Sequence, residues 1–188
     1  MQKCLSMRGA ATHIARIATC LLLWASAALS TSCSVIEEQL PTYEETSLVG
    51  VGDKAPDFCT TSLDGKELSL SSAAGEVVML ILFSHECPDC KALLDELQTI
   101  IDGGEALPTT MAISRGGSKE AIMAYRDENG YTVDMAADSD KQIYGLYATM
   151  YVPRYYLIDK EGIIRMTKFE YYDGDLRDML DMAKEIRQ

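Results

Sequence analysis

Cations, tryptophan and long apolar runs are scarce in this chain of 188 residues, and each shortage excludes something. Lys and Arg number 17 against 29 Asp and Glu, a net charge of −12. A surface this acidic repels polyanions, so no nucleic acid is expected as a partner. No apolar run reaches the roughly 18 residues of a permanent membrane span. Six cysteines are too few for a disulfide scaffold of this length, and the spacing of structural zinc ligands is absent. The one tryptophan, Trp24, falls in the extreme N-terminal segment. Apolar residues are plentiful at 47% and charged ones moderate at 24%, which suits a buried core and disfavours wholesale disorder. The length fits one domain plus extras.

Residues 1–32 carry Lys3, Arg8 and Arg16 and no acidic residue, followed by a mostly apolar stretch from Ile17 to Leu29. A basic start, a short apolar stretch and small residues describe a secretory signal peptide. The stretch ends in Ser30-Thr31-Ser32-Cys33, which resembles a bacterial lipoprotein signal, and that resemblance makes Cys33 the lipidated first residue of the mature protein. Removing residues 1–32 leaves 14 cations against 29 anions, a net charge of −15. Several acyl chains, each contributing about 0.8 kcal/mol per buried methylene, hold such a protein on a membrane without an inserted helix. Residues 33–48 are polar and acidic with one Pro, and read as a flexible tether. Glu37 and Glu38, close behind Cys33, are similar to the acidic export patch of surface lipoproteins. The expected location is the bacterial cell envelope, lipid-anchored, facing the periplasm or the exterior.

Residues 49–188 form the expected domain. Short strands at 57–61 and 67–70 flank a turn at Asp64-Gly65-Lys66, an N-terminal β-hairpin. Val77 to Ser84 is apolar without alternation, the signature of a central strand covered on both faces. Cys90 to Ile101 has apolar residues at 93, 94, 97, 100 and 101, one helical face. A strand at 109–114, a helix from Ser118 to Glu128 and a strand at 131–136 follow. Ser139 and Gln142 have capping-box spacing for a helix to Leu146. A hairpin of strands 154–158 and 163–169 turns at Asp159-Lys160-Glu161-Gly162, and Asp173 is placed to cap a last amphipathic helix. This order predicts an α/β fold with mixed strand directions.

The chemistry concentrates in Ser84-His85-Glu86-Cys87-Pro88-Asp89-Cys90, between the covered strand and the amphipathic helix. Two cysteines three apart in a first helical turn can close a small disulfide ring. The first thiol then faces unpaired backbone N–H groups and the positive end of the helix dipole, which favours its thiolate. Pro88 stands where a helix needs no donor. A second site begins at Val152-Pro153: a Pro entering a strand after a β-branched residue is a candidate for a cis peptide bond that presents the Val152 backbone to an extended substrate.

Together with Val51-Gly52-Asp53-Lys54-Ala55-Pro56-Asp57-Phe58, Leu63-Asp64-Gly65-Lys66 and Tyr156-Leu157-Ile158-Asp159-Lys160-Glu161-Gly162, these pieces resemble the TlpA/ResA-type thiol–disulfide oxidoreductases of the thioredoxin-like superfamily over residues 49–188. The resemblance implies a thioredoxin-like fold: a central mixed β-sheet flanked by helices, with an N-terminal β-hairpin and an inserted helix and strand. It makes Cys87 the nucleophile, Cys90 the resolving thiol that forms the Cys87–Cys90 disulfide, and Val152 and Pro153 the substrate groove. It implies disulfide-containing exported proteins as substrates, a membrane electron-donor thiol oxidoreductase as partner, and no cofactor or resident metal.

Three differences from related proteins bear on mechanism. Glu86 replaces the usual aromatic residue before the first Cys. Leu93 stands where some members carry Glu. Ile81 occupies the position of thioredoxin's buried Asp. No buried carboxylate is therefore expected beside the thiols, which leaves Glu86, His85 and Asp89 to move protons. Glu86 and Asp89 are like charges beside a Cys87 thiolate and disfavour it, which points to a reducing or isomerising role rather than an oxidising one. A lone His in such a loop is more commonly solvated, and Cys59 reads as a small buried residue of a strand. Tyrosines 144, 147, 151, 155 and 156 are assigned mostly to core and rim packing.

Competing readings are a copper-binding or delivery module using His85, Cys87 and Cys90, and a non-catalytic lipoprotein that keeps the fold. A peroxiredoxin lacks support, because Leu80 stands where that family's Pro-x-x-x-Thr-x-x-Cys begins.

Overall fold

The computed structural model describes residues 39–187. Cys33, the expected signal peptide and the first part of the expected tether lie outside them. Strand β3 (Val78–Phe83) is buried at all six positions. It lies at the centre of a five-stranded sheet ordered β5-β4-β3-β6-β7. It pairs parallel with β4 (Thr109–Arg115) and antiparallel with β6 (Arg154–Ile158). Strand β5 (Asp134–Asp138) adds parallel outside β4, and β7 (Ile164–Phe169) antiparallel outside β6. A separate hairpin pairs β1 (Cys59–Thr61) with β2 (Glu67–Ser69).

Side chains alternate across a strand, so β3 feeds two cores. Met79, Ile81 and Phe83 join Leu93, Leu94 and Leu97 of helix α1 (Pro88–Asp102) and Leu176, Met179 and Leu180 of helix α4 (Asp175–Arg187). Val78, Leu80 and Leu82 face Phe58, Leu68, Tyr147 and Tyr156 on the other side. Helix α2 (Lys119–Asn129) and β5 lie between the β3-α1-β4 and β6-β7-α4 halves and form the expected insertion.

Several boundaries differ from expectation, and four of the differences have a clear local reason. Helix α1 starts at Pro88 because Cys87 caps it. Strand β5 starts at Asp134, not Tyr131, because the Tyr131 N–H is used by the end of α2, donating to the Arg126 carbonyl at 3.1 Å. The Ser139 capping box does not form: Ser139 Oγ donates to the Gly117 carbonyl at 2.7 Å, and Lys141 takes a left-handed φ of 61°. The Asp138 carboxylate instead accepts from Ile143 N (3.2 Å) and Tyr144 N (2.7 Å), so only the short helix α3 (Tyr144–Tyr147) follows. At the last helix the Gly174 carbonyl, one residue beyond Asp173, accepts the first bond, from Asp178 N at 3.0 Å.

The tether is shorter than its expected end at Leu48. Ser47 bridges Ala148, Leu48 N donates to Tyr147 O at 2.9 Å, and Thr149 N to Thr46 O at 2.9 Å. Arg154 explains the docking. Its side chain is fully buried and forms no salt bridge among the described residues. Burying a charge is costly without hydrogen-bond partners. Thr46 Oγ1 and Ser47 Oγ each accept from its guanidinium at 2.6 Å, with further bonds to the carbonyls of Tyr43 and Met150.

Leu80, with no exposed surface, packs in the middle of β3. Leu80→Ala is expected to lower the unfolding free energy by about 2–5 kcal/mol, read from urea denaturation. A change under about 0.5 kcal/mol would contradict the placement of β3 at the centre of the core.

Candidate thiol–disulfide site

Strand β3 ends at Phe83, and the chain turns through Ser84 into α1. Ser84 organises the turn with three bonds: its carbonyl accepts from Cys87 N at 3.2 Å, its hydroxyl from Glu86 N at 3.3 Å, and its own N–H donates to Cys90 Sγ at 3.4 Å. Cys87 is the N-cap of α1, in extended conformation, and its sulfur accepts from Cys90 N at 3.4 Å. Pro88 occupies the first turn, where its missing N–H costs nothing. Cys87 is partly exposed and Cys90 has no exposed surface; both are free thiols in the structure. Burial pushes the Cys90 thiol well above the ordinary cysteine range, and the nearby Cys87 and Asp89 add to the shift against the N–H of Ser84.

The second piece lies against the first. The Val152–Pro153 peptide bond is cis. The Cys87 thiol is 3.7 Å from the Val152 carbonyl oxygen. Tyr151 and Glu170 flank Pro153 with left-handed φ angles of 68° and 60°, rare for residues with a Cβ. Glu170 N donates to the Pro153 carbonyl at 3.2 Å. The structure therefore brings Cys87, Cys90, Val152 and Pro153 together at one end of the sheet.

Glu86 and Asp89 are exposed beside the thiols, while His85 is half-buried rather than solvated. Its ring meets Tyr125 edge-on, and its Nδ1 is buried without a hydrogen-bond partner. Gly117 makes room for it: a Cβ there would lie 3.1 Å from the His85 ring and 2.9 Å from Ile122, at a φ of +82°. Cys59, expected to be buried, is exposed on the short hairpin. Of the five tyrosines near Pro153, residues 144, 147, 155 and 156 are buried and only Tyr151 reaches the rim. Among the described residues no group of three or more His, Cys, Asp or Glu could hold a metal ion.

This side of the sheet also holds a buried carboxylate, Asp175, with no hydrogen bond to either cysteine among the described residues. Tyr155, which pairs with Ile81, donates to Asp175 Oδ2 at 2.8 Å, and Lys168 donates to Oδ1 at 2.6 Å. Asp175 is buried at the start of α4. A lone Asp in a polar first helical turn gave no signal of this. Both its oxygens are engaged, which makes it a structural anchor for α4.

This geometry predicts unequal reactivity. Reduced protein treated with iodoacetamide near pH 7 is expected to be alkylated at Cys87 and Cys59, with Cys90 spared until the chain is unfolded. Peptide mapping by mass spectrometry checks this, and equal labelling of Cys90 in the native protein would contradict its burial.

The model of the AhpC/TSA family matches residues 51–167. Thiol-disulfide oxidoreductase ResA of Geobacillus kaustophilus is 30% identical over 128 residues, which is 65% of this chain and 71% of that protein. A Mycobacterium tuberculosis protein proposed as a peroxiredoxin is 26% identical over 134 residues, 70% of this chain and 85% of its own length. Among solved structures, a Bacteroides thetaiotaomicron protein proposed as a protein disulfide isomerase has a TM-score of 0.66 at 28% identity, covering 75% of this chain and 92% of that one. StoA of Bacillus subtilis shares the fold, with a TM-score of 0.58 at 18% identity over 66% of this chain and 96% of that one. The chain belongs to the AhpC/TSA family, and within the thioredoxin-like superfamily it is a thiol–disulfide oxidoreductase similar to ResA.

Proposed function

We propose that the enzyme reduces or isomerises disulfides of exported proteins through Cys87 and Cys90, in the bacterial envelope. One observation carries this reading: an accessible sulfur caps a helix, within hydrogen-bond reach of the amide of a buried second cysteine and 3.7 Å from the Val152 carbonyl. The Cys87 thiolate attacks a substrate disulfide. A Cys87–substrate disulfide forms and the displaced substrate thiolate takes up a proton. Cys90, once deprotonated, attacks Cys87 Sγ, which releases the second substrate thiolate and leaves the Cys87–Cys90 disulfide. Two electrons pass from the protein dithiol to the substrate. A membrane thiol oxidoreductase restores the dithiol.

Burial disfavours the Cys90 thiolate, so resolution needs a proton acceptor. His85, with its unpartnered Nδ1, and the exposed Glu86 are the groups on the same loop assigned to it. The exposed carboxylates of Glu86 and Asp89 favour a reducing pair, and a measured potential near the about −120 mV of a strong oxidant such as DsbA would overturn that direction.

Lipidation at Cys33 holds the protein on the membrane. Because the fold begins near Thr42, eight residues, 34–41, span the gap. Fully extended they reach about 29 Å, a leash that keeps the domain near a membrane-borne electron donor.

Cys87→Ser is expected to abolish insulin reduction, and Cys90→Ser to trap substrates as mixed disulfides at Cys87 that dithiothreitol releases. Full insulin reduction by Cys87→Ser would sink the assignment of Cys87, no insulin reduction by the wild type would favour a non-catalytic lipoprotein, and copper retained by the reduced protein on metal analysis would favour the delivery module. Cys33→Ala is expected to move the protein from the membrane to the soluble fraction. An unchanged membrane fraction would rule out a lipid at Cys33 as the anchor.

A further inference from the structure

We propose that Tyr43 is a specificity-determining residue of the thiol site: with Tyr151 it forms an aromatic wall on which a protein substrate lays an apolar or aromatic side chain next to the disulfide that Cys87 attacks. The inference rests on Cys87 as the nucleophile and adds a substrate class to it.

Tyr43 is held from several directions. Its carbonyl accepts from Arg154 Nη2 at 3.1 Å. Its ring centroid lies 4.8 Å from that of Tyr151 and 5.5 Å from that of Phe169, and the Arg154 guanidinium carbon is 5.2 Å from the Tyr43 centroid. Arg154 directly follows Pro153, so one side chain ties the N-terminal segment to the loop that faces Cys87. Tyr151 is fixed as well: its carbonyl accepts from the Tyr144 hydroxyl at 2.7 Å and from Arg154 Nε at 3.4 Å.

Tyr151 directly precedes Val152, whose carbonyl oxygen is 3.7 Å from the Cys87 sulfur, and Tyr43 stacks on Tyr151. Burial raises the Tyr43 hydroxyl to about 12. Both rings remain half-buried, so part of each faces solvent. A polypeptide approaching Cys87 along the Val152 carbonyl therefore passes Tyr151, one residue away, and Tyr43 stacked on it. Rigid aromatic rings bind apolar groups at little entropic cost.

The test uses two cystine peptides that differ only in Phe or Ser beside one cysteine. The wild type is expected to favour the Phe peptide by about fivefold in kcat/KM, through KM. Tyr43→Ser should bring that ratio close to one and Tyr43→Phe should preserve it, with the reduction potential of the Cys87–Cys90 pair the same in all three. A merely structural role would lower both peptides equally. Equal fall, a wild type without preference, or an unchanged ratio in Tyr43→Ser each overturns the proposal. Should Tyr43→Ser not fold, Tyr43→Leu decides: its ratio must fall by at least about twofold, since it keeps apolar bulk and loses the ring. Activity persisting in Cys87→Ser would instead overturn the assignment of the nucleophile.

Discussion

A strand buried on both faces has no solvent side from which a functional group can project, so its chemistry must lie where it ends. Strand β3 is such a strand: all six of its side chains lie in one core or the other. Its C-terminal end is therefore where the chain can present a reactive residue while remaining rigidly held. The turn at Ser84 uses that position. It delivers Cys87 to the first turn of α1, where free N–H groups receive a sulfur, and folds Cys90 back under it into the core. The unequal environments of the two cysteines, one at the surface and one without exposed area, follow from helix geometry. Position 90 lies on the face of α1 that also carries Leu93, Leu94 and Leu97, and that face packs on Met79, Ile81 and Phe83.

Two buried charges secure the surroundings of this end, and they are solved differently. Asp175 is neutralised in place by Lys168 and by the Tyr155 hydroxyl, which fixes the start of α4 against β6. Arg154 has no carboxylate among its hydrogen-bond partners and is satisfied by neutral oxygens from two separate stretches of chain, 43–47 and 150–151. Its need for several acceptors recruits the N-terminal segment into the fold. Rings of Tyr43 and Phe169 lie near the same guanidinium, so the segment is packed as well as hydrogen-bonded. The same fastening sets residues 43–47 on the domain and the Tyr43 ring beside Tyr151.

Much of this was legible in the order of residues because the signals are local. A short unbroken apolar run followed by a turn fits a doubly covered strand, apolar residues at 3-4 spacing fit one helical face, and Cys87-Pro88-Asp89-Cys90 at their junction carries its chemistry in its spacing. The mixed α/β order and the hairpin of strands 154–158 and 164–169 follow from such signals, and the resemblance to TlpA/ResA-type proteins implied the thioredoxin-like architecture. Where local signals competed, reading along the chain chose wrongly. Ser139 and Gln142 have the spacing of a cap, yet Asp138 was one residue better placed to receive the amides of Ile143 and Tyr144. Cys59 looked like a core residue because small cysteines usually are, but a three-residue hairpin strand has too little sheet around it to bury an alternate side chain.

The order of residues alone determined that two cysteines, three positions apart, sit at the mouth of a helix after a central strand, since every element of that statement lies within fourteen consecutive residues, 77–90. Only the tertiary structure decided what surrounds the pair. That Val152 meets Cys87 across 65 positions, that Asp175 lies with Tyr155, and that Arg154 draws in Ser47 and Tyr43 from more than a hundred positions away are outcomes of packing between distant segments. Burial creates those demands: a charge or hydroxyl shut away from water must find partners wherever the fold has brought them, and no spacing along the chain records which residues those are.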